Sequence, residues 1–414
     1  MNLATHASDP FSVAPFDFHP RTRFLFGVDC VERVGPLTRE FGAKRVLLVT
    51  DPGLVAAGHA ARVRNLLESS GLAVAVFSVV KENPTASCVE NCAALARDEA
   101  VDLIVGLGGG SAMDTAKGCN FIYTNGGAIK DYWGSGKAKK PMLPLVAIPT
   151  TAGTGSESQS YALIADEQSH QKMACGDPKA AARLAILDPA LTFSQPFRVT
   201  ACAGIDAIAH AVETAVTKKR NPLSLMYSHE AFKRSVPSFP RVVQNPADAE
   251  ARAGMLLAAC LAGTAIENSM LGAAHSTANP LTAHYNIVHG QAVGIMLPHV
   301  VRLNATDPRA GKAYAELASA PEIACVSEGI DQAVDALIER LEGLLNLAKI
   351  PRSLAECGVE RSDLPALAAE AAKQWTASFN PRPLHVKDFV ALYEAAFEPR
   401  GDGDLGPSEE KAKG

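Results

Sequence analysis

The apolar segment Val101-Asp-Leu-Ile-Val-Gly106 runs directly into Leu107-Gly108-Gly109-Gly110-Ser111, then into Ala112-Met-Asp114-Thr-Ala-Lys117. Few architectures accept that order. The apolar run reads as a buried strand, the glycines as a tight turn and the following stretch as a helix. Glycines let backbone approach an anion without a Cβ clash. A helix N-terminus aims N–H groups and a partial positive charge at that anion. Strand, glycines, helix is the setting a phosphate-binding loop needs. A glycine cluster at a strand end can equally be a plain turn, so the loop alone leaves both readings open.

The first half repeats the alternation. Arg45–Asp51, Ala73–Val80, Val101–Gly106 and Pro144–Pro149 read as strands, and Leu54–Leu67 and Ser87–Arg97 as helices. Continuous apolar strands between amphipathic helices predict a parallel sheet covered on both faces. Such sheets bind ligands at the carboxyl ends of their strands. From about Val199 the β-branched runs thin out. Asp248–Ala274, Ile330–Ala348 and Leu364–Lys373 have helical composition. A chain of 414 residues is long enough for two cores. The expected architecture is an α/β Rossmann-like domain over residues 1–196 and an all-α helical domain over 197–414, with the boundary near Phe193–Pro196. The polar tail Gly401–Gly414 is expected to fray.

Several function classes are disfavoured. Net charge is −5 and aromatics are 6% of the chain, with no basic stripe, so no nucleic-acid partner is expected. No run of about 18 unbroken apolar residues predicts a membrane span. Met1–Pro20 carries Asp9 and Asp17 and lacks the apolar stretch of a secretory signal. Nine cysteines occur without a C-x-x-C pair, Cys88 and Cys92 being nearest in sequence. They read as free thiols in a reducing cytoplasm.

A second polar loop follows a strand at Pro149-Thr150-Thr151-Ala-Gly153-Thr154-Gly155-Ser156-Glu157. It adds hydroxyls and bare backbone at the same edge of the sheet. Two such loops at strand ends favour one dinucleotide crevice over two plain turns. Asp51 ends the first strong strand. An acid there can accept bonds from ribose hydroxyls and repel a 2′-phosphate, which favours NAD(H) over NADP. It can also simply cap the turn Asp51-Pro52-Gly53.

Asp206 and His210 stand four apart, one helical turn, so they share a face among small apolar neighbours. Buried Asp and His need partners, and either a divalent cation or a simple Asp–His hydrogen bond would serve. One unbroken helix would hold His275 and His289 about 21 Å apart. Pro280 between them predicts a break that lets both reach one ion. One carboxylate and three imidazoles suit Fe²⁺ or Zn²⁺, with a position left for substrate.

From about Thr22 to Phe397 the chain resembles the iron-containing (group III) alcohol dehydrogenases. The motifs that carry the resemblance are Gly108-Gly109-Gly110-Ser111 with Asp114 and Lys117, Pro149 to Thr154, Asn83-Pro84-Thr85, Asp188-Pro189 and Asn380-Pro381-Arg382, in order. The resemblance implies a dehydroquinate synthase-like fold with the active site between the two domains. It implies metal ligation by Asp206, His210, His275 and His289, with catalysis through the metal. It puts Asp51, Asn83, Gly108, Gly109, Gly110, Ser111, Asp114, Thr150, Thr151, Thr154 and Lys172 around NAD(H), Lys172 on the nicotinamide side. The implied reaction is reversible hydride transfer between a small primary alcohol/aldehyde pair and nicotinamide, in a cytoplasmic homo-oligomer with a dimer favoured. The Phe24-Leu-Phe26 segment is a candidate interface or an ordinary strand.

One position departs from the family pattern. A second histidine often stands four residues after the third ligand, and here Asn279 stands there. An amide cannot shuttle a proton at neutral pH, so His284, or water with a ribose hydroxyl, is left as relay. A sugar-phosphate cyclase similar to dehydroquinate synthase is an alternative within this fold. Its pocket needs several Lys or Arg near the ligands, and Ile205–Val216 and Gly272–Pro298 contain none. A non-catalytic NAD-responsive protein is a second alternative, and it gives no reason for all four ligands to be present.

Overall fold

In the computed structural model, residues 15–167 and 172–398 are described. The frayed tail expected at Gly401–Gly414 and most of the stretch expected not to be a signal lie outside them. Nine strands are found among the described residues: β1 (Arg23–Phe26), β2 (Arg45–Val49), β3 (Ala73–Phe77), β4 (Leu103–Gly108), β5 (Gly134–Ser135), β6 (Leu145–Pro149), β7 (Tyr161–Ala165), β8 (Lys172–Gly176) and β9 (Leu184–Leu187). Six of them form a sheet in the order β1-β9-β6-β4-β2-β3, every pair parallel. A smaller sheet, β5-β8-β7, contains the antiparallel hairpin β7–β8.

The helices of this half are α1 (Val34–Arg39), α2 (Pro52–Ala56), α3 (His59–Ser69), α4 (Ala86–Asp98) and α5 (Gly110–Asn125). They explain why the strands read as unbroken apolar runs. Val46, Leu48, Leu103, Val105 and Leu107 pack on one face with Val34 of α1 and Val63 and Leu67 of α3. Leu47, Val49, Ile104 and Ala147 pack on the other with Val89 of α4 and Met113 of α5. Alternate residues serve opposite cores, so no position is left for a polar side chain.

From Phe197 onward the described residues contain helices and no strand: α6 (Phe197–Thr214), α7 (Pro222–Gln244), α8 (Ala249–Ser269), α9 (Ala273–Tyr285), α10 (His289–Ala305), α11 (Pro308–Ser319), α12 (Ile330–Leu347), α13 (Leu364–Ala371) and α14 (Val386–Phe397). They enclose one apolar core rich in alanine. Helix α8 is long and apolar enough to cross a membrane by length and composition. A search for unbroken apolar runs passes over it because small and polar residues interrupt the pattern. It is a core helix packed on α6 and α7, with 67% of its most apolar window buried.

Four local expectations are corrected. The helix expected at Leu54–Leu67 is two helices, split where Gly58 turns with φ 81°. The stretch Asp248–Ala274 ends at Ser269, because Met270 takes φ 66°. Strand β4 runs on to Gly108, so the first glycines belong to the strand end. Pro280 does not break the histidine segment. It is a buried residue inside α9, where packing compensates for the hydrogen bond a proline lacks. The break falls at Asn286, which ends α9 in the left-handed conformation with φ 53°. Asparagine tolerates that region better than most residues.

Candidate metal centre and cofactor cleft

The glycine loop and the threonine loop interlock at the carboxyl ends of β4 and β6. Thr150 N donates to Gly108 O at 3.0 Å. A Cβ on Gly109 would stand 3.2 Å from Thr151 Oγ1 and Cγ2, and one on Gly110 would stand 2.8 Å from Thr154 Cγ2. Glycine is thus required for the loops to meet. The N-cap of α5 is Gly109, which offers no side chain to the first-turn N–H groups of Gly110 and Ser111. They remain oriented for an anion.

Beneath the loops lies a buried polar cluster. The Lys117 ammonium, 0% exposed, donates to Ser156 O at 2.6 Å, Ser156 Oγ at 2.8 Å and Tyr161 O at 2.9 Å. Ser156 Oγ donates to Asp114 Oδ1 at 3.0 Å. Burial pushes the Asp114 carboxyl up to about 6, with Lys117 and Lys172 pulling the other way. Lys172 opens β8, where burial lowers its ammonium and the charges of Asp114, Asp206 and Glu82 oppose that. Its charge acts on both Asp114 of α5 and His289.

Asp51 caps the turn, as one of its two expected readings has it. Oδ1 accepts the Leu54 N–H at 3.1 Å and caps α2. Oδ2 faces the glycine loop, 3.3 Å from where a Cβ on Gly108 would stand. Asn83 has φ 52° and sits just before the turn into α4.

The histidines converge. Helix α6 presents Asp206, His210 and Glu213 on one face, each a turn apart. The Nε2 atoms of His210 and His275 lie 3.5 Å from Asp206 Oδ1, and that of His289 lies 4.0 Å away. The His210 and His275 rings stack at 4.7 Å, and His275 meets His289 at 5.4 Å. Ligand atoms of Asp206, His210 and His275 all lie within 4.8 Å of one another, and all three residues are buried. His289 is the open member, its side chain 24% exposed.

These spacings test whether a cation fits. Asp206 Oδ1 and His275 Nε2 are buried without a hydrogen-bond partner, a costly state unless something else satisfies them. Ligands about 2.1 Å from a tetrahedral ion stand about 3.4 Å from each other. The observed 3.5 Å separations match that edge and are too long for good hydrogen bonds.

Electrostatics divide the three imidazoles. Burial pulls His210 down to about 4, against the charge of Asp206. Burial and then the Lys172 charge hold His289 well below the usual histidine range. Burial also opposes a charged His275, but the Glu213 charge first, and then the facing Asp206 carboxylate, outweigh it and push it up to about 9. Burial works against ionised Asp206 as well, yet the neighbouring histidines, His210 first, hold it below the carboxylate range.

The other expected residues fall differently. Asn279 is four residues after His275 and therefore about 40° round α9 from it. Its Nδ2 donates to Gln374 Oε1 at 3.1 Å. His284 is nine residues on, about 180° round the helix. Its Nε2 pairs with Glu370 at 2.8 Å in an exposed ion pair, so the fold turns it away from the histidine cluster. Glu213 was not singled out from the sequence. Its Oε2 lies 2.5 Å from His275 Nδ1 and its Oε1 accepts the Ala274 N–H at 2.7 Å. The available signal was its place a turn after His210 among alanines.

Two family models cover almost all the described residues. That described as iron-containing alcohol dehydrogenase matches residues 20–189, and that described as the C-terminal part of the Fe-containing alcohol dehydrogenase family matches residues 200–397. The chain is 35% identical to alcohol dehydrogenase 4 of Schizosaccharomyces pombe over 373 residues, 90% of this chain and 87% of that one. It is 34% identical to the NAD-dependent methanol dehydrogenase of Bacillus methanolicus over 372 residues, 90% of this chain and 97% of that one. Its fold superposes on the alcohol dehydrogenase from Oenococcus oeni with a TM-score of 0.89 at 31% identity, covering 92% of this chain and 100% of that one. The chain belongs to the iron-containing alcohol dehydrogenase family and is an NAD-linked oxidoreductase of alcohols and aldehydes.

Proposed function

We propose that Asp206, His210, His275 and His289 hold one divalent cation, Fe²⁺ rather than Zn²⁺, beside NAD(H) bound by the glycine and threonine loops. The observation that carries this reading is the convergence of three Nε2 atoms on Asp206 Oδ1 at 3.5 to 4.0 Å. Oxygen and imidazole donors suit both metals, and the family favours iron. When bound, the cation supplies Lewis acidity to the oxygen of the alcohol or aldehyde.

The chain supplies position. His289, the most exposed of the four, borders the side from which a small alcohol or aldehyde enters. Gly109, Gly110, Ser111, Thr151 and Thr154 seat the dinucleotide phosphates. Asp51 receives the adenosine ribose, Asp114 and Asn83 border the same cleft, and Lys172 holds the nicotinamide side. Asn279 orients a polar group and moves no proton, because its amide has none to give at neutral pH. Water and a ribose hydroxyl carry the proton instead, and His284 has no part in it.

In this reading residues 1–196 serve the cofactor and residues 197–414 serve the metal. The protein works as a homo-oligomer, a dimer, in the cytoplasm. Exposed Phe24 and Phe26 on edge strand β1 support self-association, and cysteines without a disulfide support a reducing compartment. The test is a panel of small alcohols and aldehydes with NAD and NADP, run on enzyme loaded with Fe²⁺ or Zn²⁺. Turnover by rigorously metal-stripped protein would overturn the metal assignment, and a preference for NADP would overturn the role of Asp51.

A further inference from the structure

We propose that Glu213 is a positioning residue of the metal centre, fixing the tautomer of His275 with one oxygen and the helix that carries it with the other. This rests on the metal reading above. Glu213 is 2% exposed and has no Lys or Arg partner among the described ion pairs. Its neighbours account for both oxygens. Oε2 lies 2.5 Å from His275 Nδ1, and Oε1 accepts the Ala274 N–H at 2.7 Å.

The first contact decides which ring nitrogen carries the proton. An ionised carboxylate only accepts, so in the neutral ring Nδ1 must be the donor and the Nε2 lone pair is left toward Asp206. That is the nitrogen a cation would use. Among the described residues no carboxylate is paired with Nδ1 of His210 or of His289; the His210 ring has the Gly153 backbone beside it. His275 is thus the ligand whose orientation is locked from behind.

The second contact replaces a helix cap. Helix α9 starts after Gly272, which has no capping side chain. Glu213 takes the Ala274 N–H and Asn380 Oδ1 takes the Ala273 N–H at 3.3 Å. Both crowd Gly272, where a Cβ would stand 3.1 Å from each oxygen. The motif Asn380-Pro381-Arg382 belongs to this brace. Asn380 Nδ2 donates to Asn304 Oδ1 of α10 at 2.8 Å, and Arg382 Nη1 donates to Leu303 O at 3.2 Å. Helices α6, α9 and α10, which carry the four candidate ligands, are joined behind the site.

A capping role alone and a positioning role separate in Glu213→Gln. The glutamine oxygen can still accept the Ala274 N–H. Its amide then turns an N–H toward His275 Nδ1 and drives the ring proton to Nε2, where it blocks ligation. The experiment titrates metal-free wild type, E213Q, E213A and H275A with Co²⁺, reading the ligand-field spectrum, and records the metal-free melting temperature of each. E213Q should bind Co²⁺ about 10–100-fold more weakly than wild type while melting above E213A, which loses the cap as well. Wild-type affinity in E213Q, or affinity losses that merely track melting temperature, would overturn the proposal while H275A still loses the ion. Failure of wild type itself to bind would overturn the metal reading. If E213Q does not fold, nitrogen-15 histidine spectra of Zn²⁺-loaded wild type decide the matter. His275 should show a protonated Nδ1 and a metal-bound Nε2, and the reverse assignment would refute it.

Discussion

Gly155 and Gly263 meet backbone to backbone: a Cβ on Gly155 would stand 2.6 Å from the Gly263 Cα, and one on Gly263 would stand 2.3 Å from the Gly155 oxygen. The threonine loop is therefore pressed onto α8, and no side chain fits between them. Gly263→Ala should cost about 1–3 kcal/mol by overpacking, read as a lower urea midpoint, and should weaken NAD binding because the loop must shift. Gly155→Ala should cost more, since φ is 61° there and a left-handed alanine adds about 1–2 kcal/mol.

Removal of metal donors should be graded. Asp206, His210 and His275 form the buried triad, whereas His289 is partly open. His275→Ala should weaken metal binding by more than the roughly 10–100-fold that loss of an outer partner causes, with a smaller loss for His289→Ala. Both should keep NAD affinity. Metal content by mass spectrometry and NAD binding by calorimetry give the two readouts, and equal losses for both variants would contradict the grading.

Asp51 allows its two tasks to be separated. Asp51→Asn keeps an oxygen for the Leu54 N–H and removes the charge, so stability should hold while NADP affinity rises. Asp51→Ala should raise NADP affinity too but lose about 1 kcal/mol of stability with the cap. Fluorescence titrations with NAD and NADP, alongside thermal melts, distinguish them.

Glu157 predicts a pH dependence. Burial pushes its carboxyl up to about 7, partly offset by its own backbone N–H and by the Lys117 charge, and its Oε1 has no hydrogen-bond partner. The folded state thus holds a proton that the unfolded chain releases at about pH 4.3. Stability from this group is complete below that value and is lost as pH rises to about 7, by on the order of 3 kcal/mol. Glu157→Gln should match wild type near pH 4 and melt higher at pH 8, measured on metal-free protein. A difference that shrinks with rising pH would contradict this sign.

Much of this was legible in the sequence because the signals were local. The alternation of apolar runs with helices gave the parallel sheet, and the four-residue step from Asp206 to His210 gave one face of α6. What depended on distant contacts was not legible. Strand β9 is four residues, too short to tell from a helix fragment, and becomes a strand only between β1 and β6. Glu213 acquires meaning from His275, 62 residues away. Pro280 looked like the break because proline is the stronger local signal, yet tertiary packing held the helix through it and Asn286 made the turn. His284 looked near His275 along the chain, and helical rotation sends it to the opposite side.

The candidate metal donors all come from α6, α9 and α10, while the glycine and threonine loops hang from β4 and β6. In the proposed reading, coenzyme choice and cation choice are therefore written in separate stretches of the chain. An engineer could swap one without redesigning the other, provided the glycine seam between the threonine loop and α8 is left intact.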